Sequence, residues 1–312
     1  MGTAHSHDHA QGHAHDHSEA NRTRLAWAFG LTAAILAAEV IGAAVTGSLA
    51  LLVDAAHMLT DAAGLLMALT AAHLIQRKPT LKRTWGLRRA EVLSATLQAS
   101  LLLVVGVYAA IDAVRRFASP PEVQPAGLLV FGVIGLLGNI IAMLILSSGR
   151  DANLNMKAAF LEVVNDALGS VAVIVAALVI ALTGWAPADS VAALLISALI
   201  VPRAFKLLRE TTHILLESTP RGLDLELVRT HLEQLPGVLA VHDLHASQIA
   251  SNLPVLSAHV VVTNEMFSAD ATGRLLAQLQ GCVAEHFEVG IEHSTFQIEP
   301  ESHRLLEHDS GC

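Results

Sequence analysis

Six apolar runs, each long enough to cross about 30 Å of hydrocarbon as a helix, occupy the first two thirds of this chain. They cover approximately Leu25 to Thr46, Leu49 to Leu74, Ala90 to Val114, Ala126 to Leu146, Ala158 to Thr183 and Pro187 to Leu207. In hydrocarbon every backbone N–H and C=O must be satisfied within its own segment, so runs of this length predict membrane-spanning α-helices. Only 15% of the 312 residues are charged and 53% are hydrophobic, a balance that excludes an ordinary soluble protein. The first twenty residues are polar and histidine-rich, without the pattern of a cleavable signal.

Basic residues orient the spans, because short loops that stay in the cytoplasm carry the excess of Lys and Arg. Arg22 and Arg24 precede the first span, and Arg77, Lys78, Lys82, Arg83, Arg88 and Arg89 fill the second loop. Arg150 and Lys157 lie in the fourth loop, and Arg203, Lys206 and Arg209 close the sixth span. The opposite side holds only Arg115 and Arg116. This reading places the chain in a cell membrane with both termini cytoplasmic.

Past the sixth span the charge changes sign. Residues 210–312 hold 15 Asp and Glu against 4 Lys and Arg, whereas residues 1–209 carry a formal +2. An acidic tail argues against nucleic acid as a partner. The tail reads as a small α+β domain: a helix over Leu225 to Leu235, strands over Val238 to Ile249 and Val255 to Thr263, a helix over Ala269 to Phe287, and a strand over Ile291 to Ile298. A core of this size is modest, so dimerisation through the domain is expected. The organisation is thus a disordered His-rich tail (1–21), a six-helix transmembrane domain (22–209), a cytoplasmic domain (210–300) and a C-terminal tail (301–312). His5, His7, His9, His13, His15 and His17 form a tract without hydrophobic periodicity, suited to collecting metal loosely. Cys282 and Cys312 have no zinc-finger spacing, and no disulfide is expected.

Two four-residue spacings break the apolar pattern: His57 to Asp61 in the second span, and Glu162 to Asp166 in the fifth. A charged group at the centre of a membrane helix costs about 2.5–3.5 kcal/mol, so Asp54, Asp61, Glu162 and Asp166 together cost up to about 10 kcal/mol if charged and uncompensated. Residues four apart share one helical face, with Cβ atoms about 5–6 Å apart, so each pair can hold one cation. Two such pairs on facing helices supply four ligands, which points to an intramembrane divalent-metal site and hence to transport. Asp54 shares the face of His57 and Asp61 and reads equally as a residue of the metal path and as a structural hydrogen-bonding group. Glu39 and Asn139 read as polar contacts between helices.

The chain resembles the cation diffusion facilitator family, in its zinc-transporter branch. The resemblance rests on GSLALLVDAAHMLTD from Gly47, RRAEVLSA from Arg88, KAAFLEVVNDALGSVAVI from Lys157, DSVAALLISALI from Asp189 and ESTPRGLD from Glu217. VHDLH at Val241, LSAHVVV at Leu256 and HSTFQIE at His293 continue it in the tail. It implies a homodimer of six-helix protomers in the lipid bilayer, a ferredoxin-like cytoplasmic domain, and exchange of a divalent metal for protons. It also implies a transport site of His57, Asp61, Glu162 and Asp166 between spans two and five. In the cytoplasmic domain it assigns metal binding to His242, His259, His293 and Glu299, with Zn²⁺ as transported substrate and regulatory ligand. Strand alternation puts His245 on the opposite face from His242, so the two are not expected to share a metal.

The resemblance is imperfect at one residue. Many zinc members carry His where this chain has Glu162, and one imidazole with three ionised carboxylates leaves a net −1 around a divalent ion. More carboxylate character favours harder ions, so a Mn²⁺-preferring transporter is the nearest alternative to a Zn²⁺, Cd²⁺ or Co²⁺ carrier. A membrane metal sensor is a further alternative, but it leaves the two intramembrane faces unexplained. The spans hold no HExxH and the chain no phosphate loop, which argues against an intramembrane metallohydrolase and an ATP-driven pump; no enzymatic activity is expected.

Overall fold

The computed structural model describes residues 11–147, 154–267 and 269–303. Six long helices come first: α1 Gln11–Thr46, α2 Leu49–Ile75, α3 Arg89–Ala118, α4 Pro125–Ser147, α5 Leu154–Thr183 and α6 Pro187–Leu215. Each contains the apolar run that predicted it. Among the described residues, α1, α3, α4, α5 and α6 hold stretches long and apolar enough to cross a membrane. The remaining one, α2, is 27 residues long, about 40 Å by its helical rise.

One expectation needs correction at the start of the chain. Residues 11–21, read as disordered, are helical and continuous with α1. Gln11, Ala14, Glu19 and Ala20 favour the helix, and extending an existing helix needs no new nucleus. Residues 1–10, with His5, His7 and His9, lie outside the described residues, as do the side chains of His13, His15 and His17.

The chain divides into two compact units, Met1–Ala63 with Ser100–Phe205 and Gly64–Ala99 with Lys206–Cys312. In the first, Gly47 ends α1 with φ +70, a left-handed conformation that glycine adopts without a Cβ penalty. Ser48 then caps α2 by accepting from Leu51 N at 3.2 Å. Asp189, at the start of α6, accepts from Leu49 N at 2.7 Å and from Ser48 Oγ. A carboxylate from one helix therefore satisfies the N-terminus of another, and favours the positive end of its dipole.

Lipid offers no hydrophobic gain on helix association, so packing depends on small residues that allow close approach. Gly132, Gly135 and Gly138 line one buried face of α4. A Cβ on Gly138 would come within 2.6 Å of Ile35 of α1, and one on Gly132 within 3.0 Å of Val173 and Ile174 of α5. Large apolar residues such as Val104, Tyr108, Leu144 and Leu195 point outward, as a lipid-facing surface requires.

The second unit contains the C-terminal domain: α7 Leu225–Glu233, β1 Val238–Ala250, β2 Leu253–Val262, α8 Ala269–Glu285 and β3 His293–Pro300. This is the expected α-β-β-α-β order of a ferredoxin-like domain. The sheet order is β1-β2-β3, with β1 and β2 antiparallel and β2 and β3 parallel. A parallel neighbour requires a crossover, which α8 supplies. Leu256, Ala258, Val260 and Val262 of β2 pack with Val228 and Leu232 of α7 and Leu275, Leu279 and Val283 of α8. The odd-numbered residues of β2, His259 among them, therefore face away from the helices.

A bulge alters β1. His242 pairs with His259 and His245 with Ser257, so three steps on β1 match two on β2. Asp243 lies at the irregularity with φ 50. Val241 and Leu244, three apart, consequently both enter the core. By the same shift His242 and His245 share a face, which corrects the expectation from simple alternation.

Candidate functional site

The helical periodicity of α2 and α5 delivers the four intramembrane residues to one place. His57 is buried at 5% exposure, and its Nδ1 lies 3.4 Å from Asp61 Oδ2 one turn along α2. His57 Nε2 faces α5, at 3.7 Å from Glu162 Oε1 and 3.9 Å from Asp166 Oδ1. One imidazole and three carboxyls thus converge from two helices. Ligand atoms of His57, Asp61 and Glu162 fall within 4.8 Å of one another, a spread that small rotamer changes can close around one ion.

A fifth residue enters that sequence reasoning used only to orient the chain. Arg203 of α6 donates from Nη1 to Glu162 Oε1 at 2.9 Å and from Nη2 to Glu162 Oε2. This two-pronged geometry suits a planar guanidinium and a carboxylate. Arg203 follows Pro202, the proline inside α6, and a basic residue in that apolar run was the signal available in the sequence.

Asp54 lies one turn from His57 on α2 and is fully buried. Its carboxyl lies over Gly169 of α5, where an added Cβ would meet Asp54 Oδ1 at 2.7 Å. Glu39 lies over Gly135, where a Cβ would meet its Oε1 at 2.9 Å. Asn139 of α4 donates to Ser170 Oγ of α5 at 3.3 Å, bearing out its reading as a contact between helices.

In the C-terminal domain each strand contributes one residue to a second cluster on the sheet face away from the helices. His259 Nδ1 lies 3.0 Å from Glu299 Oε1, and His242 Nε2 lies 3.8 Å from Glu299 Oε2. The rings of His242 and His259 meet edge to face with centroids 5.2 Å apart. Glu299 is 2% exposed and also accepts from Gln297 Nε2 at 2.7 Å. Ligand atoms of His242, His259 and Glu299 come within 4.8 Å of one another. The bulge adds Asp243, whose carboxylate lies 2.9 Å from His245 Nε2 and 3.7 Å from His259 Nε2. A carboxylate there fixes the orientation of an imidazole offered to a metal.

His293 is not brought into this cluster. It begins β3, six residues from Glu299 and so about 20 Å along the strand, and its ring meets Trp85 edge to face at 4.7 Å. The expectation that it joins His242, His259 and Glu299 is corrected on that ground.

Comparison with known proteins follows the same division of the chain. The family description "Cation efflux transmembrane domain" matches residues 25–216, and "Cation efflux protein, cytoplasmic domain" matches residues 220–301. The chain is 42% identical to the metal cation efflux system protein CzcD of Cupriavidus metallidurans, over 96% of this chain and 90% of that protein. It is 41% identical to the zinc transporter ZitB of Escherichia coli, over 95% of this chain and 92% of that one. A cadmium, cobalt and zinc/H(+)-K(+) antiporter of Bacillus subtilis is 36% identical, over 98% of this chain and 94% of its own length.

Proposed function

Because the chain belongs to the cation efflux, or cation diffusion facilitator, family, we propose that it expels Zn²⁺, with Cd²⁺ and Co²⁺ as related substrates, in exchange for protons through His57, Asp61, Glu162 and Asp166. The observation that carries this reading is the convergence of those four side chains from α2 and α5. The same groups serve metal and proton in turn. A divalent ion needs a neutral imidazole and ionised carboxylates, so loading releases protons and protonation expels the ion. The carboxyls of Asp61, Glu162 and Asp166 that converge on His57 are where proton and metal compete.

Arg203 balances the charge of the loaded site. One imidazole and three carboxylates around a divalent cation leave −1, and the guanidinium on Glu162 returns the balance to neutrality. That is the balance of two imidazoles and two carboxylates, reached by a different set of residues. Arg203 also fixes the orientation of Glu162 through two hydrogen bonds.

The protomer works as a homodimer with both termini in the cytoplasm, a reading supported by the match to the family's cytoplasmic domain and by the basic loops. The His242, His259 and Glu299 cluster takes cytoplasmic metal as a regulatory ligand, rigidifying the domain when zinc is abundant. The test is flux into vesicles containing the purified protein, with an imposed pH gradient and controlled membrane potential. Zinc flux should follow the gradient and collapse in Asp61→Ala and Asp166→Ala. Flux indifferent to the gradient and to protonophore removes proton exchange, and binding without flux makes the protein a sensor.

A further inference from the structure

The helices of the C-terminal domain bring together three side chains that neither metal cluster uses. His231 lies in the last turn of α7, and Cys282 and His286 lie four apart at the end of α8. The N–H of His286 still bonds to the Cys282 carbonyl at 3.0 Å, so both side chains project from one helical face. His231 Nε2 and His286 Nδ1 are 2.9 Å apart, and ligand atoms of all three residues fall within 4.8 Å of one another. Cys282 is part of the core between sheet and helices. The sheet therefore separates this group from His242, His259 and Glu299, which lie on its other face.

We propose that His231, Cys282 and His286 form a distinct binding site for a zinc-class divalent cation, held by two imidazole nitrogens and one thiolate. Two imidazoles and a thiolate are the donor set that Zn²⁺, Cd²⁺ and Co²⁺ take readily. The direct nitrogen-to-nitrogen contact means that a hydrogen-bonding proton lies between the two rings. Ligand atoms on zinc, with bonds of about 2.0–2.3 Å, are about 3.3–3.7 Å apart. The imidazoles need to part by less than about 1 Å for the ion to take the place of that proton.

Binding converts the Cys282 thiol to thiolate and sends its proton to solvent, while the proton held between the two rings moves by way of solvent to the other nitrogen of the imidazole that carried it, so that each neutral ring offers a lone pair. The ion draws the thiol proton out as it binds. His286 is exposed and provides the way in. Three protein ligands leave a fourth position for water, as in exchangeable rather than closed zinc sites. The bound ion ties α7 to α8 across 55 residues of chain.

Sulfur makes the site distinguishable, since the other two clusters contain none and the chain has only Cys282 and Cys312. The full-length protein, reduced and held in detergent or nanodiscs, is titrated with Co²⁺ while near-ultraviolet absorption is followed. A thiolate-to-cobalt charge-transfer band is expected in the wild type, in Cys312→Ser, and in the Asp61→Ala/Asp166→Ala double variant. It should vanish in Cys282→Ser. In His286→Ala, which changes an exposed residue and should leave the fold intact, the apparent affinity read from the band should fall at least about tenfold. The site is overturned if the wild type gives no band, if the band persists in Cys282→Ser, or if His286→Ala leaves the titration unchanged.

Discussion

Arg203 grips Glu162 with both guanidinium nitrogens, bringing a residue of α6 into a site otherwise built from α2 and α5. The charge of the site is consequently set by three helices rather than two. In a low-dielectric setting a buried carboxylate paired with a guanidinium costs far less than the same carboxylate alone.

A double-mutant cycle reads that coupling. Glu162→His leaves Arg203 beside an imidazole and gives the loaded site a net +1, so zinc flux should fall by at least about tenfold. Adding Arg203→Gln returns the loaded site to neutrality and should recover most of the loss. Flux in vesicles checks both, and a double variant no better than Glu162→His would show that the pair is not coupled.

Gly169 is the point where α5 passes over Asp54. Alanine there meets the Asp54 carboxylate at 2.7 Å, and the forced displacement should cost about 1–3 kcal/mol. Flux should fall with stability, because Asp166 lies one turn away on α5. Gly273→Ala is the control: an added Cβ in α8 meets nothing within 4 Å, and a helical Gly→Ala change should stabilise by up to about 1 kcal/mol. Thermal unfolding in detergent compares the two.

Asp189→Ala removes the acceptor of Leu49 N and Ser48 Oγ, leaving the start of α2 with buried, unmatched donors. The expected loss is about 1–3 kcal/mol, seen as a lower unfolding temperature. Asp189→Asn keeps an oxygen acceptor and should lose less.

At the β1 bulge, backbone and side-chain roles of Asp243 can be separated. Asp243→Gly accepts the positive φ but deletes the carboxylate beside His245 and His259. Stability should be nearly unchanged, while metal affinity at His242, His259 and Glu299 falls about 10–100-fold. Calorimetric titration in an Asp61→Ala/Asp166→Ala/Cys282→Ser background measures this directly.

Helical periodicity made His57, Asp61, Glu162 and Asp166 legible, because residues four apart must share a face whatever the helix packs against. The six spans and the order of elements in the tail were legible for a related reason: length and repeat of apolar residues are local properties. His245 was misplaced because one bulged residue reverses strand parity, and parity is decided by the partner strand. His293 was misplaced because resemblance assigned it to a cluster from which six strand residues separate it.

The linear chain by itself determined which segments enter the membrane and which helical faces carry the chemistry, since backbone hydrogen bonding in lipid leaves no alternative to helices of that length. Tertiary structure alone decided that Arg203 meets Glu162 and that His231 meets Cys282 and His286. Those encounters join residues 41 and 55 positions apart, from Glu162 to Arg203 and from His231 to His286. Contacts at such separations depend on how helices pack against one another, and no local period encodes that.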